Sequence, residues 1–232
     1  MDELLANGDG LPSPFAIRSL VLESVMFDSQ HIVDLGICAH IVANVFVETK
    51  GSFGQNQTEQ MQNLTTDAEQ FMKATGMRNG LRGKITIERI RTTADWPKLK
   101  AKAACTRQLS RYALHLAVKY NSGSLHDRRR HGVCHLLVRY YEIIEEQPRY
   151  LSDVAKAELK EISALLFSLH LNLSEEALID NVRMWKMTGK FHMFQHLLEL
   201  PCYVGNPRYY WLYMDEDLMQ LVKRSASHAI IV

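Results

Sequence analysis

The alternation of hydrophobic and polar positions changes character along the chain. From Ile17 to Asp28 the residues are dense in Leu, Val, Met and Phe. Drawn as an extended chain, Leu20, Leu22, Ser24, Met26 and Asp28 fall on one face, and Val21, Glu23, Val25 and Phe27 on the other. That pattern predicts a mostly buried strand over 17–28. The period then becomes helical. Val33, Ile37, Ile41, Val42 and Val45 lie on one stripe and predict a helix from Val33 to Glu48, with Gly36 as a weak point inside it.

Residues 50–63 are rich in Gly, Gln and Asn and predict a mobile polar loop. Asp67 to Thr75 reads as a short helix, capped by Thr66 or Asp67 and ended by Gly76. Ile85, Ile87 and Ile90 fit a short strand or the start of a helix. Beyond Pro97 the pattern is helical. Leu99–Tyr120 carries Leu109, Tyr112, Ala113, Leu116 and Ala117 on one stripe, and His126–Glu146, Asp153–Leu171, Ser174–Trp185 and Lys190–Leu200 follow. Gly205-Asn206-Pro207 predicts a turn, and Met214–Ser227 a last helix. Residues 1–16, with Gly8, Gly10, Pro12 and Pro14, read as a loose lead-in. The fold class expected is mainly α with a small α/β part near the N-terminus.

Composition narrows the class. With 47% hydrophobic and 23% charged residues, the 232-residue chain is that of a globular protein with a sizeable core. A net charge of +1 gives no overall basic field, so a nucleic-acid partner would have to be met by local patches. Cys38, Cys105, Cys134 and Cys202 are widely spaced and form no CxxC pair, which predicts reduced thiols in an intracellular protein. The acidic N-terminus has no secretory pattern. No continuous apolar run reaches the ~18 residues of a membrane span. The expected location is nuclear if the protein acts on DNA and cytoplasmic otherwise, with no membrane partner.

Two acidic motifs far apart in the chain are the strongest candidates for chemistry. Asp28-Ser29-Gln30-His31 sits where the predicted strand ends and the helix begins, a position at which α/β folds present functional groups. His31 can orient Asp28 or reach a phosphate, and Asp34 is a further carboxylate. The structural alternative is a helix start at which Asp28 or Ser29 caps backbone amides. Asp215-Glu216-Asp217 opens the last predicted helix, with Glu216 at the edge of its apolar face. Three neighbours on a helix diverge by ~100° each, so the alternative is an acidic first turn facing the macrodipole. Two-metal nucleases assemble carboxylates from distant segments in this manner.

The remaining candidates are basic or histidine-rich. Lys98, Lys100, Lys102 and Arg107 form one basic stretch, and Arg128, Arg129 and Arg130 another. Either can grip a phosphate backbone or be a solvated surface. Tyr209, Tyr210, Trp211 and Tyr213 offer base-stacking faces or loop packing. His131/His135 and His192/His196 are i,i+4 pairs compatible with zinc only if both converge on one ion. No GxGxxG, GxxxxGK[ST] or GxSxG motif is present.

Taken together, the motifs carry a resemblance. Asp28-x-x-His31-x-x-Asp34-Leu35-Gly36-x-x-x-His40 resembles the Asp-x-Met-His segment of CACTA and Plavaka transposases, with Gln30 in place of Met. Lys190-Phe191-His192-Met193-Phe194-Gln195-His196-Leu197 is similar to the segment preceding the last catalytic acid there and in hAT-like transposases. Asp215-Glu216-Asp217 stands where that acid lies. The resemblance implies the C-terminal part of an RNase H-like catalytic region: a strand–helix piece over 17–49, a large helical insertion over 64–189, and C-terminal helices over 190–232 completing the core. It implies DNA strand cleavage and transfer with Mg²⁺ or Mn²⁺ held by Asp28 and Glu216, with His31 in support and the two basic stretches positioning DNA. Such a core also needs a first aspartate on its opening strand. Only 27 residues precede Asp28, and Asp2 and Asp9 lie in the lead-in, so the expectation is a truncated relative with impaired catalysis. A non-enzymatic helical interaction module is the alternative reading.

Overall fold

The computed structural model describes residues 28–77, 83–91, 96–199 and 205–210. The predicted strand over 17–28 falls almost wholly outside these residues, as do the acidic cluster 215–217 and the last helix. The described residues form a mainly helical body in which no strand occurs.

A π-helical stretch, Gln30–Cys38, runs straight into α1, Ala39–Thr49. Its wider turn passes through Gly36, where a Cβ would meet the His31 carbonyl at 3.0 Å and Lys190 Cγ at 3.2 Å. This helix is the axis of the body. Ile37, Ile41, Val42, Ala43, Val45 and Phe46 are all fully buried, so apolar residues face outward from the helix on every side and other helices must cover them. A 3₁₀ turn, Lys50–Phe53, leads to α2, Gln57–Ala74; α3 is a single turn, Ile87–Ile90. Then α4 (Ala103–Lys119), α5 (Leu125–Glu146) and α6 (Asp153–Ile179) pack in sequence order, and α7 (Gly189–Glu199) packs on α6 and on the π-helical stretch.

Several predicted elements shift. The loop expected over 50–63 is confined to residues 54–56. Asn56 caps α2 by accepting from Glu59 N at 3.0 Å, and the Glu59 carboxylate accepts from Gln55 N at 2.9 Å. The Gln- and Asn-rich composition concealed a helical period carried by Met61, Leu64, Ala68 and Met72, all buried. Thr66 and Asp67 are therefore mid-helix: Thr66 bonds back to the Gln62 carbonyl at 3.1 Å, and Asp67 accepts from Tyr112 Oη at 2.7 Å. The break expected between Leu171 and Ser174 is absent. Helix α6 continues to Ile179 and ends in a turn with Asn181 at φ 53°. The α4 stripe holds as expected, since Leu109, Tyr112, Ala113, Leu116 and Ala117 are all fully buried.

Two helical stretches, Gln30–Phe53 and Asp153–Ile179, have windows long and apolar enough to cross a bilayer, although no continuous apolar run does. The first is the buried axis, with 83% of its window inside the body; the second keeps only 39% inside.

Polar groups tie α1 to its neighbours at the far end from Asp28. The Glu48 carboxylate accepts from Trp185 Nε1 at 2.5 Å, pairs with His126 Nε2 at 3.1 Å and binds Arg130 at 3.0 Å. Nearby, Asn44 accepts from Trp185 N at 2.8 Å. His170 is fully buried against Trp185 and Phe191, with Nε2 3.3 Å from the Lys186 carbonyl and Nδ1 without a hydrogen-bond partner among the described residues.

Burial holds the His170 imidazolium out of favour and lowers its pKa from 6.5 to about 4. The unfolded chain therefore takes up a proton at higher pH than the folded one. Stability falls as pH drops from 6.5 towards 4, by about 3 kcal/mol for this group. His40, also lowered by burial, adds a loss of the same sign. The measurement is urea unfolding across that range on the parent and on His170→Gln. The variant is expected to lose most of the acid-side slope, whatever its stability at neutral pH. An unchanged slope would mean that His170 is protonated in the folded protein.

Candidate functional site at the Asp28 end

Asp28 stands at the start of the axial helix. One carboxylate oxygen accepts from Gln30 N at 3.0 Å and the other from His31 N at 3.2 Å, while His31 Nδ1 closes on the second oxygen. The side chain thus caps the helix, where negative charge is favoured by the exposed N–H groups. It is not sealed in: the Asp28 side chain is 18% exposed and His31 48%.

Asp34, six residues on, is built differently. It is buried and accepts from Tyr141 Oη at 2.6 Å. Burial, with the Asp34 charge next, pushes both the Cys38 thiol and the Tyr141 phenol well above their usual ranges. Asp34 therefore pairs α1 with α5 inside the body and does not face a ligand.

The segment leading to the second acidic motif comes to the same end of the body. Asn206 is fully buried. Its Nδ2 donates towards the carbonyls of Ile144 (3.0 Å), Gln147 (3.1 Å) and Pro148 (3.2 Å), while Oδ1 accepts from Arg208 N at 2.9 Å. These bonds satisfy carbonyls left over at the α5 C-terminus. Asn206 N donates to the Arg149 carbonyl at 2.7 Å, and the Arg208 guanidinium donates to the Glu145 carbonyl at 3.1 Å. Ser29 Oγ then donates to the Pro207 carbonyl at 3.2 Å, across 178 positions of sequence. The turn predicted at 205–207 is real, but its role as a clasp was not legible, because a lone Asn beside Pro signals only a turn.

The basic candidates divide. Lys98, Lys100 and Lys102 are exposed, alternating with buried Leu99 and Ala103 on an extended segment. Its backbone is pinned by Lys98 N to the Ile90 carbonyl (3.0 Å), Leu99 N to Ala39 (2.9 Å) and Lys100 N to Arg89 (2.7 Å). Arg128 is exposed as well. The others are used internally. Arg107 pairs with Glu145 and lies 4.9 Å from the Tyr141 ring centre. Arg129 pairs with Glu176. Arg130 is only 5% exposed, bound to Glu48 and, at 2.7 Å, to Asp127. The run 128–130 wraps around α5, so one of its three arginines must point into the body. Arg107, Arg129 and Arg130 are thus committed to holding helices together.

The histidine pairs stay separate. His131 and His135 lie on α5 with ring centres 6.1 Å apart, and His192 and His196 on α7 with Nε2 atoms 3.0 Å apart. Among the described residues no three His, Cys, Asp or Glu side chains are grouped to hold a metal, so a zinc site built on the two pairs lacks its geometry. Glu216 and its neighbours Asp215 and Asp217 lie outside the described residues. No protein-family model, curated protein or solved structure matches the chain.

Asn206→Ala removes a buried amide and strands the α5 carbonyls it serves. It is expected to cost about 2–4 kcal/mol in urea unfolding. Ser29→Ala, which removes one hydrogen bond to the same turn, is expected to cost ~1 kcal/mol. A cost for Asn206→Ala no larger than that for Ser29→Ala would contradict the clasp.

Proposed function

We propose that the chain is a transposase-derived, RNase H-like protein in which Asp28 and Glu216 hold Mg²⁺ or Mn²⁺ at one site acting on DNA. The observation that carries this reading is the Ser29–Pro207 hydrogen bond, because it draws the segment that runs on to Glu216 up against the Asp28 turn. From Tyr210 only six positions separate the last described residue from Glu216, a span of at most ~21 Å even if fully extended. The donor chemistry fits: a partly exposed carboxylate offers the hard oxygen that Mg²⁺ and Mn²⁺ take.

In this reading Asp28 and Glu216 are the metal-holding acids. His31, bonded to Oδ2 of Asp28, fixes the carboxylate's orientation. When bound, the metal supplies Lewis-acid stabilisation of charge on the phosphodiester oxygens. Lys98, Lys100 and Lys102 form a row of solvent-facing charges on a pinned backbone, suited to a phosphate chain. Arg128 is the second solvent-facing basic group.

The test is thermal unfolding with increasing Mn²⁺ on the parent, Asp28→Asn and Glu216→Gln. A saturating rise of ~5 °C or more in the parent, lost in both variants, supports a shared site. No rise in the parent, or a rise that survives either substitution, would remove the metal site from the account. The lysine row is tested by DNA binding as a function of salt. Replacing Lys98, Lys100 and Lys102 by Ala is expected to reduce the slope of log affinity against log salt by roughly 3. An unchanged slope would mean that these lysines do not meet phosphates.

A helical interaction module is the second reading. It is favoured by α6, which exposes Val154, Leu165, Leu178 and Ile179 among the described residues.

A further inference from the structure

The two histidine pairs share a spacing but not a geometry. His131/His135 on α5 and His192/His196 on α7 are each about one helical turn apart. The α5 rings stand 6.1 Å apart, centre to centre, and the α7 rings 4.4 Å. In the α7 pair the two Nε2 atoms face each other at 3.0 Å, with the rings crossed at 75°. Two imidazole nitrogens turned to one point are the first requirement of a chelate.

Helix α7 holds them there. Phe191, Phe194, Leu197 and Leu198 are buried and form one side of the helix. Phe191 packs on His170 with ring centres 4.3 Å apart, and Phe194 on Tyr140 at 5.2 Å. These anchors fix the rotation of the helix. At ~100° per residue, His192 and His196 then fall on the opposite side. His192 is exposed, and the His196 side chain is 46% exposed. Glu199 comes round to the same side, and its carboxylate lies 3.3 Å from His196 Nδ1. A carboxylate in that place holds the ring hydrogen on Nδ1, which leaves the Nε2 lone pair of His196 directed at His192. The contact between the two Nε2 atoms then takes its hydrogen from His192. A cation bound between the rings replaces that hydrogen, which passes to His192 Nδ1 or to water.

The spacing also selects the metal. With metal–nitrogen bonds of ~2.0–2.1 Å, nitrogens 3.0 Å apart subtend roughly 95° at the ion. That is the cis angle of a square-planar or tetragonal ion and falls well short of the ~109° of tetrahedral zinc. Among first-row divalent ions, Cu²⁺ takes this geometry and binds nitrogen donors most tightly. The two histidines fill two positions around such an ion and leave the others to water or an external ligand.

We infer that His192 and His196 form a copper(II)-binding site on the outer side of α7, with Glu199 fixing the tautomer of His196. Its nitrogen donors set it apart from the carboxylate site proposed at Asp28, and it does not rest on that reading.

The test is Cu²⁺ titration of the full chain in excess Mg²⁺, read by pulsed electron paramagnetic resonance, which counts copper-bound imidazoles through their remote nitrogens. Binding at micromolar copper through two imidazoles is expected. His192→Gln and His196→Gln should each weaken it about a hundredfold, because a single imidazole has no chelate partner. The paired substitution His131→Gln/His135→Gln should leave both the affinity and the imidazole count unchanged. Zn²⁺ is expected to bind at least about tenfold more weakly than Cu²⁺. Unchanged thermal unfolding of the metal-free α7 variants would show that their folding is intact, and the imidazole count of the parent needs no variant at all. Copper held by fewer than two imidazoles in the parent overturns the inference. So does a two-imidazole signal that survives either α7 substitution or disappears with the α5 pair. Zinc bound as tightly as copper overturns the choice of metal.

Discussion

The structure depends on the polar links that hold a largely buried helix, α1 with its π-helical start, antiparallel to α5. A buried apolar helix can slide or rotate among apolar neighbours at little cost, because dispersion contacts are not directional. Polar groups remove that freedom. At one end, Glu48 binds Arg130 and His126; in the middle, Asp34 meets Tyr141; at the other end, Ser29 reaches the Pro207 turn, which Asn206 fastens to the α5 C-terminus. As the residue number falls along α1 it rises along α5, so all three links specify a single register. Each link sits where loss of one partner strands a buried polar group, which is why register here is expensive to change.

The position of Asp28 follows from that register. A carboxylate at a helix start is commonplace, and on its own it caps. What distinguishes this one is that the same helix is locked lengthwise at Glu48, so the Asp28 turn cannot drift from the segment that continues towards residues 215–217. His126 reinforces the lock under neutral conditions. Its bonds to Glu48 and Glu176 raise its pKa to about 9, so the stabilisation is complete below 6.5 and fades as pH rises through 9. His170, in the same region, acts in the opposite sense on the acid side.

Much of the helical body was legible in the sequence because its signal is periodic. The α4 stripe is strictly spaced and strictly apolar, and α1 needs nothing more than its run of Ile and Val. Helix α2 was missed over its first half because Gln, Asn and Thr outnumber the few buried residues that set its period. The residues that hold the body in register were legible only as types. Arg130 reads as one of three surface arginines, yet helical geometry turns it inward to Glu48. Asn206 reads as a turn former, yet it serves three carbonyls. Asp28 and His31 were singled out, and their mutual bond and capping geometry are in the structure. Whether residues far apart in a chain meet is set by packing among helices, which no local spacing encodes.

The central claim is that the Asp28 turn and the segment carrying Glu216 form one metal-holding site. It is tested most directly by loading the full chain with Fe²⁺, adding ascorbate and peroxide, and mapping where the backbone is cut. Radicals made at a bound iron react close to it, so a shared site predicts cleavage both near Asp28 and near Glu216, abolished together by Asp28→Asn and outcompeted by Mg²⁺. Cleavage confined to one of the two segments, or the same cuts in Asp28→Asn, would contradict it.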